Sequence, residues 1–175
     1  MFYTKKYDEA QQIITKNASN AKIVAISKFH SKDSVIKAIK YGVKIFGENR
    51  VQEAQKKFFD LKNIYKGIEL HLTGPLQTNK VKQALKIFDF FQTLDRKKLA
   101  DEFAKNTELT LDKKFFIQIN TGKERNKSGI FLEQLGEFIK YCTNDLRLNI
   151  IGLMCIPPIH DSPQNHFSLL EQQAK

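Results

Sequence analysis

The alternation of short apolar runs with longer amphipathic segments is the feature that most constrains the fold. The apolar runs are rich in Ile, Val, Phe and Leu, as are strands that are covered on both faces of a parallel sheet. The segments between them carry apolar residues at helical spacing. Because strand and helix patterns alternate along the chain, the sequence predicts an α/β protein with a parallel sheet and with helices outside it.

We predict about six strand–helix units. The predicted strands lie at residues 23–28, 43–46, 68–73, 90–94, 114–120 and 148–155. The first helix is predicted at residues 3–15, and the last from residue 163 to the end of the chain. A closed (β/α)8 barrel of the TIM type needs eight strands and typically ~250 residues, whereas this chain has 175. We therefore expect one domain, residues 1–175, that is either an open α/β sheet or a TIM-type barrel without its C-terminal part.

The composition indicates an anionic partner. The formal net charge is +10 and the pI is about 9.5, which favours phosphate ligands, nucleic acid or an acidic surface. The positive charge is mostly Lys, scattered over every predicted helix, and this pattern is more typical of a solvated surface than of a nucleic-acid groove. Cys142 and Cys155 lack metal-type spacing, and no apolar run is long enough to cross a bilayer. We expect a cytoplasmic protein with reduced thiols and with neither nucleic acid nor a membrane as partner.

Lys28 is the first candidate for chemistry because it follows the apolar run at residues 23–26. The carboxyl ends of parallel strands are where α/β proteins usually bind ligands. A lysine amine attacks an aldehyde only when it is neutral, and burial or nearby positive charge favours that state. We interpret Lys28 as the anchor of an aldehyde cofactor held as an imine. The alternative is an ordinary loop lysine that extends from the sheet into solvent.

Further candidates lie at or near other strand ends. Asn49 follows the second predicted strand, His71 lies within the third, and Met154 is near the end of the sixth. Because such ends converge on one face of a parallel fold, these residues are candidates for the same site. Each has a structural alternative: Asn49 could cap the next helix, and His71 could be a core residue with a satisfied hydrogen bond.

Five blocks of sequence, in order, resemble the signatures of the pyridoxal phosphate homeostasis protein family. They are residues 24–28 (VAISK), 46–53 (FGENRVQE), 71–80 (HLTGPLQTNK), 120–129 (NTGKERNKSG) and 152–158 (GLMCIPP). A Ser-Lys pair alone would be a weak signal, but five ordered blocks are specific. Two departures are Leu70, where the family usually has Trp, and the absence of the family's Ser/Gly-rich phosphate-binding turn and Arg-x-Gly strand. The second departure indicates a fragment or a truncated chain.

The resemblance implies a single-domain barrel like the N-terminal domain of alanine racemase. It implies pyridoxal 5′-phosphate held as a Schiff base on Lys28, with Asn49 and His71 near the cofactor ring and Met154 close to the site. Family members are regarded as cofactor carriers or homeostasis factors without an established reaction. We expect the same here, in a monomer without a metal, with enzymes that depend on pyridoxal phosphate as candidate partners.

Two other functions stay open at this point. One is an amino-acid racemase or decarboxylase of the alanine racemase type, which needs a second base facing Lys28 from another domain or subunit. The other is a basic nucleic-acid-binding module, which would place aromatic residues between arginines on one face. The Phe residues fall mainly at predicted core positions instead, which makes the nucleic-acid module the least favoured of the three functions.

Overall fold

Six parallel strands form one sheet, and their order in the sheet follows their order in the chain. The computed structural model describes residues 2–17 and 20–174. The strands are β1 (Ala25–Ile26), β2 (Ile45–Glu48), β3 (Glu69–Leu72), β4 (Phe90–Leu94), β5 (Lys114–Ile119) and β6 (Ile150–Cys155). This sequential, parallel order confirms the predicted α/β class and is the order of neighbouring strands in a TIM-type barrel.

A helix precedes β1, and at least one helix follows each strand. The α-helices are α1 (Thr4–Lys16), α2 (Lys32–Lys40), α3 (Val51–Ile64), α4 (Val81–Leu85), α5 (Lys97–Ala104), α6 (Thr107–Thr110), α7 (Leu135–Lys140) and α8 (Pro163–Gln173). Short 3-10 turns at Thr78–Lys80 and Leu132–Gln134 precede α4 and α7, and a π-helical turn, Tyr141–Asp145, follows α7. The predicted continuation of the last helix to Lys175 lies outside the described residues at that position.

The core lies between the sheet and its helices. Phe46, Leu72, Phe91 and Phe115 come from four neighbouring strands, and all four are buried. The ring centroids of Phe91 and Phe115 are 5.3 Å apart, and Phe103 of α5 packs edge-on against both at 4.8 Å. Dense aromatic packing of this kind fixes the helices to one face of the sheet.

The opposite face of the sheet, here called the inner face, carries a different set of residues. Ile26, Gly47, His71 and Phe90 are register partners across β1 to β4 and define this face. In a TIM-type barrel the corresponding face lines the barrel interior.

The first strand differs from its prediction. Only Ala25 and Ile26 of the run at residues 23–28 pair as a strand, and Ile26 is 45% exposed. Within the described part of the chain, β1 pairs with β2 alone and is therefore an edge of the sheet. The prediction that this run is covered on both faces is wrong, because the side chain of Ile26 on the inner face is largely uncovered. The other edge is β6, which pairs with β5.

Most other boundaries agree with the sequence pattern to within a few residues. The strand predicted at residues 90–94 is β4 without change. Phe88, expected on the helix before it, lies instead in the turn after α4, where it is fully buried. The short helix α6 and the π-helical turn were not predicted, since neither carries a long periodic pattern.

Both cysteines are free thiols, as the sequence predicts. Burial raises the pKa of Cys142 to about 12 and also raises the pKa of Cys155, so neither is a thiolate at neutral pH. Across residues 2–17 and 20–174, no helix combines the length and apolar character needed to span a membrane.

The neighbouring residues Phe58 and Phe59 of α3 test which side of the helix faces the core. Phe58 is fully buried, with its ring centroid 5.4 Å from that of Phe46, whereas Phe59 is 68% exposed. We expect Phe58→Ala to lower the free energy of unfolding by about 3–5 kcal/mol because it leaves a cavity. The matched control, Phe59→Ala, should change it by less than about 0.5 kcal/mol. Urea denaturation measures both, and equal losses would contradict the assigned face.

Candidate functional site

The carboxyl ends of the first three strands are each followed by a polar residue. Lys28, Asn49 and Thr73 lie just beyond the ends of β1, β2 and β3. The hydroxyl of Thr73 donates a hydrogen bond of 2.9 Å to Oδ1 of Asn49. Neighbouring strand ends therefore meet as the parallel order requires.

Lys28 and Asn49 open into one cavity of about 640 Å³. Its walls come from the loops after β1 to β4 and from the first turn of α3. The lining residues are Lys28, Phe29, Asn49, Arg50, Val51, Gln52, Glu53, Pro75, Leu76, Gln77, Lys80 and Arg96. The structure thus brings together two of the four predicted site residues.

The cavity carries an excess of positive charge. Lys28, Arg50, Lys80 and Arg96 line it, against one acidic residue, Glu53. The guanidinium of Arg50 lies 3.7 Å from the Glu53 carboxylate. Within the described part of the chain, Lys28 and Lys80 pair with no carboxylate. Unpaired ammonium groups in a concave site attract an anionic ligand, such as a phosphate ester.

Lys28 is exposed at the end of β1, and the residue after it has an unusual backbone. Phe29 has a φ angle of 64°, in the left-handed region that bulky residues rarely adopt. Its side chain is among the most exposed aromatic ones, at 80%, and its ring centroid lies 6.0 Å from Nζ of Lys28. The burial that the apolar run indicated for Lys28 is not observed, because Lys28 lies in the turn after the two-residue strand β1.

Asn49 is held by the loop that follows β3. A Cβ atom on Gly74 would lie 2.6 Å from the backbone oxygen of Asn49, so this close approach requires glycine. The hydroxyl of Thr93 fixes the same loop through a 2.9 Å hydrogen bond to the oxygen of Gly74. Asn49 does not cap α3, because the N-cap residue is Arg50, which makes no side-chain capping bond.

Arg96 forms another part of the cavity wall and was not selected from the sequence. Its Nη2 donates a 2.6 Å hydrogen bond to the oxygen of Leu76, and its Nη1 lies 2.5 Å from the Asp95 carboxylate. The side chain thus ties the loop after β3 to the loop after β4. The available signal was its position two residues after the end of β4, which is the kind of signal that selected Asn49.

His71 lies deeper on the inner face and does not line the cavity that holds Lys28. Gln92 Nε2 donates a 2.8 Å hydrogen bond to Nδ1 of His71, which places the ring proton on Nε2. The ring stacks on Phe90 at 4.2 Å, and Nε2 is buried without a hydrogen-bond partner. Burial lowers the pKa of His71 to about 4, helped by the charge of Lys22 and opposed by that of Asp89. His71 is therefore a neutral imidazole at pH 7.

Met154 also lies outside the cavity. It is a half-buried residue of β6 and pairs in register with Gln118 of β5. Met154 is not among the residues that line the cavity of Lys28. Its role beside a cofactor stays a prediction, as does that of His71.

A buried ionic network lies directly behind Lys28, on the helix-covered side of the sheet. Glu48 at the end of β2 is fully buried, and its Oε1 accepts hydrogen bonds from Ser27 and from Lys57 of α3. Lys57 was not predicted to have a role, since a lysine on an amphipathic helix is usually solvated. A charged residue inside the apolar stripe with Ala54, Phe58 and Leu61 was the only signal in the sequence.

The fold and the cavity define a parallel α/β protein with a cation-rich cavity at the carboxyl ends of its strands. The family model described as the N-terminal domain of alanine racemase matches residues 4–175. The chain belongs to this family, which confirms the resemblance drawn from the sequence blocks. No group of three or more His, Cys, Asp or Glu residues within 2–17 and 20–174 is arranged to hold a metal ion.

Curated relatives carry the name pyridoxal phosphate homeostasis protein. The one from Aquifex aeolicus is 36% identical over 146 residues, which are 83% of this chain and 63% of the relative. The one from Haemophilus influenzae is 36% identical over 163 residues, which are 90% of this chain and 67% of the relative. The chain thus spans about two thirds of the length of these relatives.

A solved structure of similar fold contains the cofactor. PipY of Synechococcus elongatus PCC7942, with PLP bound, is 25% identical with a TM-score of 0.74, and the match covers 94% of this chain and 82% of PipY. The structure of PipY without PLP gives a TM-score of 0.77 at 27% identity, with 94% and 83% of the two chains covered.

The positive φ angle of Phe29 predicts backbone strain beside Lys28, and substitutions at this residue can test it. The left-handed conformation costs an L-residue about 1–2 kcal/mol, and glycine escapes this cost. We expect Phe29→Gly to be more stable than Phe29→Ala by about 1 kcal/mol, since both remove the exposed ring and only glycine removes the strain. Chemical denaturation compares the two variants. An alanine variant at least as stable as the glycine variant would contradict the assigned backbone.

The lowered pKa of His71 predicts a pH dependence of stability. Unfolded histidine takes up a proton near pH 6.5, whereas folded His71 does so only at about pH 4. Between these values the unfolded state binds more protons, so acidification through this window destabilises the fold. We expect His71→Gln to lose less stability than the parent protein between pH 7 and pH 4, measured by denaturation at each pH. Parallel pH profiles for the two proteins would contradict the prediction.

Proposed function

We propose that this chain binds pyridoxal 5′-phosphate covalently through Lys28 and serves in pyridoxal phosphate homeostasis. The observation that carries the proposal is the position of Lys28, whose amine opens into a cation-rich cavity beside Asn49. Family membership, the names of the relatives and the PLP-bound structure of PipY support the choice of cofactor.

The residues of the cavity fit the chemical groups of this cofactor. Lys28 supplies a primary amine for the aldehyde, and it pairs with no carboxylate among the described residues. Lys80, Arg50 and Arg96 supply positive charge for the phosphate. Asn49 supplies an amide group that can form hydrogen bonds with polar substituents of the ring. Its Oδ1 is already fixed by the hydroxyl of Thr73. The volume of about 640 Å³ is within the range of small-molecule sites.

The chemistry at Lys28 requires no other reactant. The amine nitrogen adds to the aldehyde carbon, and the carbonyl oxygen leaves as water, which gives a Schiff base without oxidation or reduction. When bound, the cofactor supplies a protected, reversibly held aldehyde. The cations of the cavity raise the local concentration of the phosphate-bearing aldehyde. Lys28 stands at an exposed site, so hydrolysis can release the cofactor again, as a carrier requires.

The wider role belongs to the same proposal. We propose a monomeric carrier or regulator in the cytoplasm rather than an enzyme, with apo-enzymes that use pyridoxal phosphate as candidate recipients. Both cysteines are free thiols, which is usual in a reducing compartment. The positive charge suits a small phosphorylated ligand and does not require nucleic acid.

Substitution of Lys28 tests the covalent anchor. We expect the parent protein mixed with pyridoxal 5′-phosphate to show the near-visible absorbance of the Schiff base, and borohydride to fix the added mass on Lys28. Lys28→Ala and Lys28→Arg should lose the mass label at position 28 and most of the absorbance, because neither side chain offers a nucleophilic amine. The matched control is Lys32→Ala, a surface lysine of the next helix that pairs with Asp60 at 2.9 Å, and it should keep both signals.

Two results would change the proposal. An unchanged spectrum and an unchanged labelled peptide in Lys28→Ala would reject Lys28 as the anchor. Exchange of the α-proton of an amino acid in deuterated buffer, dependent on the cofactor and on Lys28, would assign a racemase-type reaction in place of a carrier function.

A further inference from the structure

Every polar group of Ser27, the residue before Lys28, has a fixed partner. The Ser27 N–H donates a 2.9 Å hydrogen bond to the oxygen of Gly47 in the neighbouring strand. The hydroxyl donates to Oε1 of Glu48 at 2.7 Å. Nζ of Lys57 donates to the same carboxylate oxygen at 2.9 Å and to the backbone oxygen of Ser27 at 2.8 Å. The start of the turn that carries Lys28 is thus tied to β2 and to α3.

The network is buried, and its burial is costly. Glu48 has no exposed side-chain surface, and the side chain of Lys57 is 11% exposed. Among the residues that the structure describes, Glu48 is the only fully buried carboxylate and Lys57 is the only buried lysine. Desolvation of an ion pair is offset by attraction only when the geometry is good, and apolar residues of similar volume often hold a core together as well or better. Stability alone therefore does not explain why β2 and α3 meet through charges at this point.

We propose that Glu48 and Lys57 are positioning residues that set the direction of the Lys28 side chain. This inference rests on the proposed function, because it concerns the geometry of the covalent anchor. The Ser27 carbonyl belongs to the peptide group that joins Ser27 to Lys28. Its oxygen is held by Lys57 on the helix-covered side and by the N–H of His30 at 3.1 Å, which closes the turn.

The consequence for Lys28 follows from the geometry of the peptide. Lys57 holds the Ser27–Lys28 peptide from the helix-covered side, and a fixed peptide plane limits the directions open to the Lys28 side chain, which lines the cavity beside Asn49. The helix that supplies Lys57 is α3, whose first turn also lines the cavity. One helix therefore sets both a wall of the site and the direction from which the amine enters it.

Two lysines of α3 give a matched pair of variants. Lys57→Met removes the network cation. Lys62→Met is the control, because Lys62 also binds a carboxylate, that of Asp89 at 2.7 Å, and a backbone oxygen, that of Ile87 at 3.0 Å. Both changes remove an ammonium group from the same helix, but only the first removes a bond to Ser27.

The measured quantity is the ratio of the cofactor label on two lysines that line the same cavity. Each protein is mixed with pyridoxal 5′-phosphate, reduced with borohydride and digested, and mass spectrometry gives labelled Lys28 relative to labelled Lys80. Lys80 lines the same cavity, so a change in overall access or in ligand affinity moves both lysines together. We expect Lys57→Met to lower the ratio about tenfold, because small displacements of a reacting group have effects of this size or larger. Lys62→Met should keep the parent ratio.

The outcomes separate this inference from the proposed function. Labelling of Lys28 in the parent protein with an unchanged ratio in Lys57→Met overturns the positioning role and leaves the proposed function standing. A parent protein without label on Lys28 overturns both.

A second variant covers the case in which Lys57→Met does not fold. Glu48→Leu combined with Lys57→Met removes both charges together, which proteins tolerate better than a single unpaired buried charge. We expect this double variant to show the same lowered ratio, both with the cofactor and with a small acylating reagent that needs no cofactor. A parent-like ratio in the folded double variant overturns the proposal.

Discussion

Parallel pairing of consecutive strands is the constraint on which the rest of this structure depends. It sends every strand in the same direction, so that all the loops after the strands gather at one edge of the sheet. Lys28, Asn49 and Thr73 come from separate parts of the sequence and meet because of this order. The cavity is a consequence of the topology, and the side chains at its wall determine which ligand it suits.

Charge is distributed differently on the two sides of the strand ends. On the inner side, ammonium and guanidinium groups line an open cavity with one carboxylate among them. On the helix-covered side, one carboxylate and one ammonium group are buried against each other behind Ser27. The first arrangement suits the binding of an anion, and the second suits the fixing of a backbone. Both depend on α3, whose first turn faces the cavity while Lys57, further along, reaches the network.

The fold was largely predictable from the sequence because hydrophobic periodicity is a local property. The runs of β4 and β5 gave their boundaries to within a residue. The environment of the first strand was harder to predict, because an apolar run such as residues 23–26 is compatible with a central strand and with an edge strand. That difference depends on pairing partners far away in the chain, and it decides how much of Ile26 is exposed.

The candidate site was predictable in part, for the same reason. Lys28 and Asn49 could be found because position after a strand is visible in the sequence. Glu48 also follows an apolar strand pattern, whereas Lys57 looks like an ordinary surface charge, and their pairing becomes apparent only when α3 packs on β2. Phe29 differs from its expected environment in the opposite direction. An aromatic side chain is typical of the core, but Phe29 has a positive φ angle and is largely exposed. Side-chain direction after a strand is set by tertiary contacts, which no single-residue preference contains.

The open edges of the sheet have a consequence for how this chain behaves among copies of itself. At β1 and β6 the backbone N–H and C=O groups on one side have no strand to bond with in the described part of the chain. Such edges can accept a strand from a second molecule, and the rate of that encounter rises with the square of the protein concentration. The ladder that brings the cavity residues together thus ends in two edges whose free backbone groups can each bond an added strand.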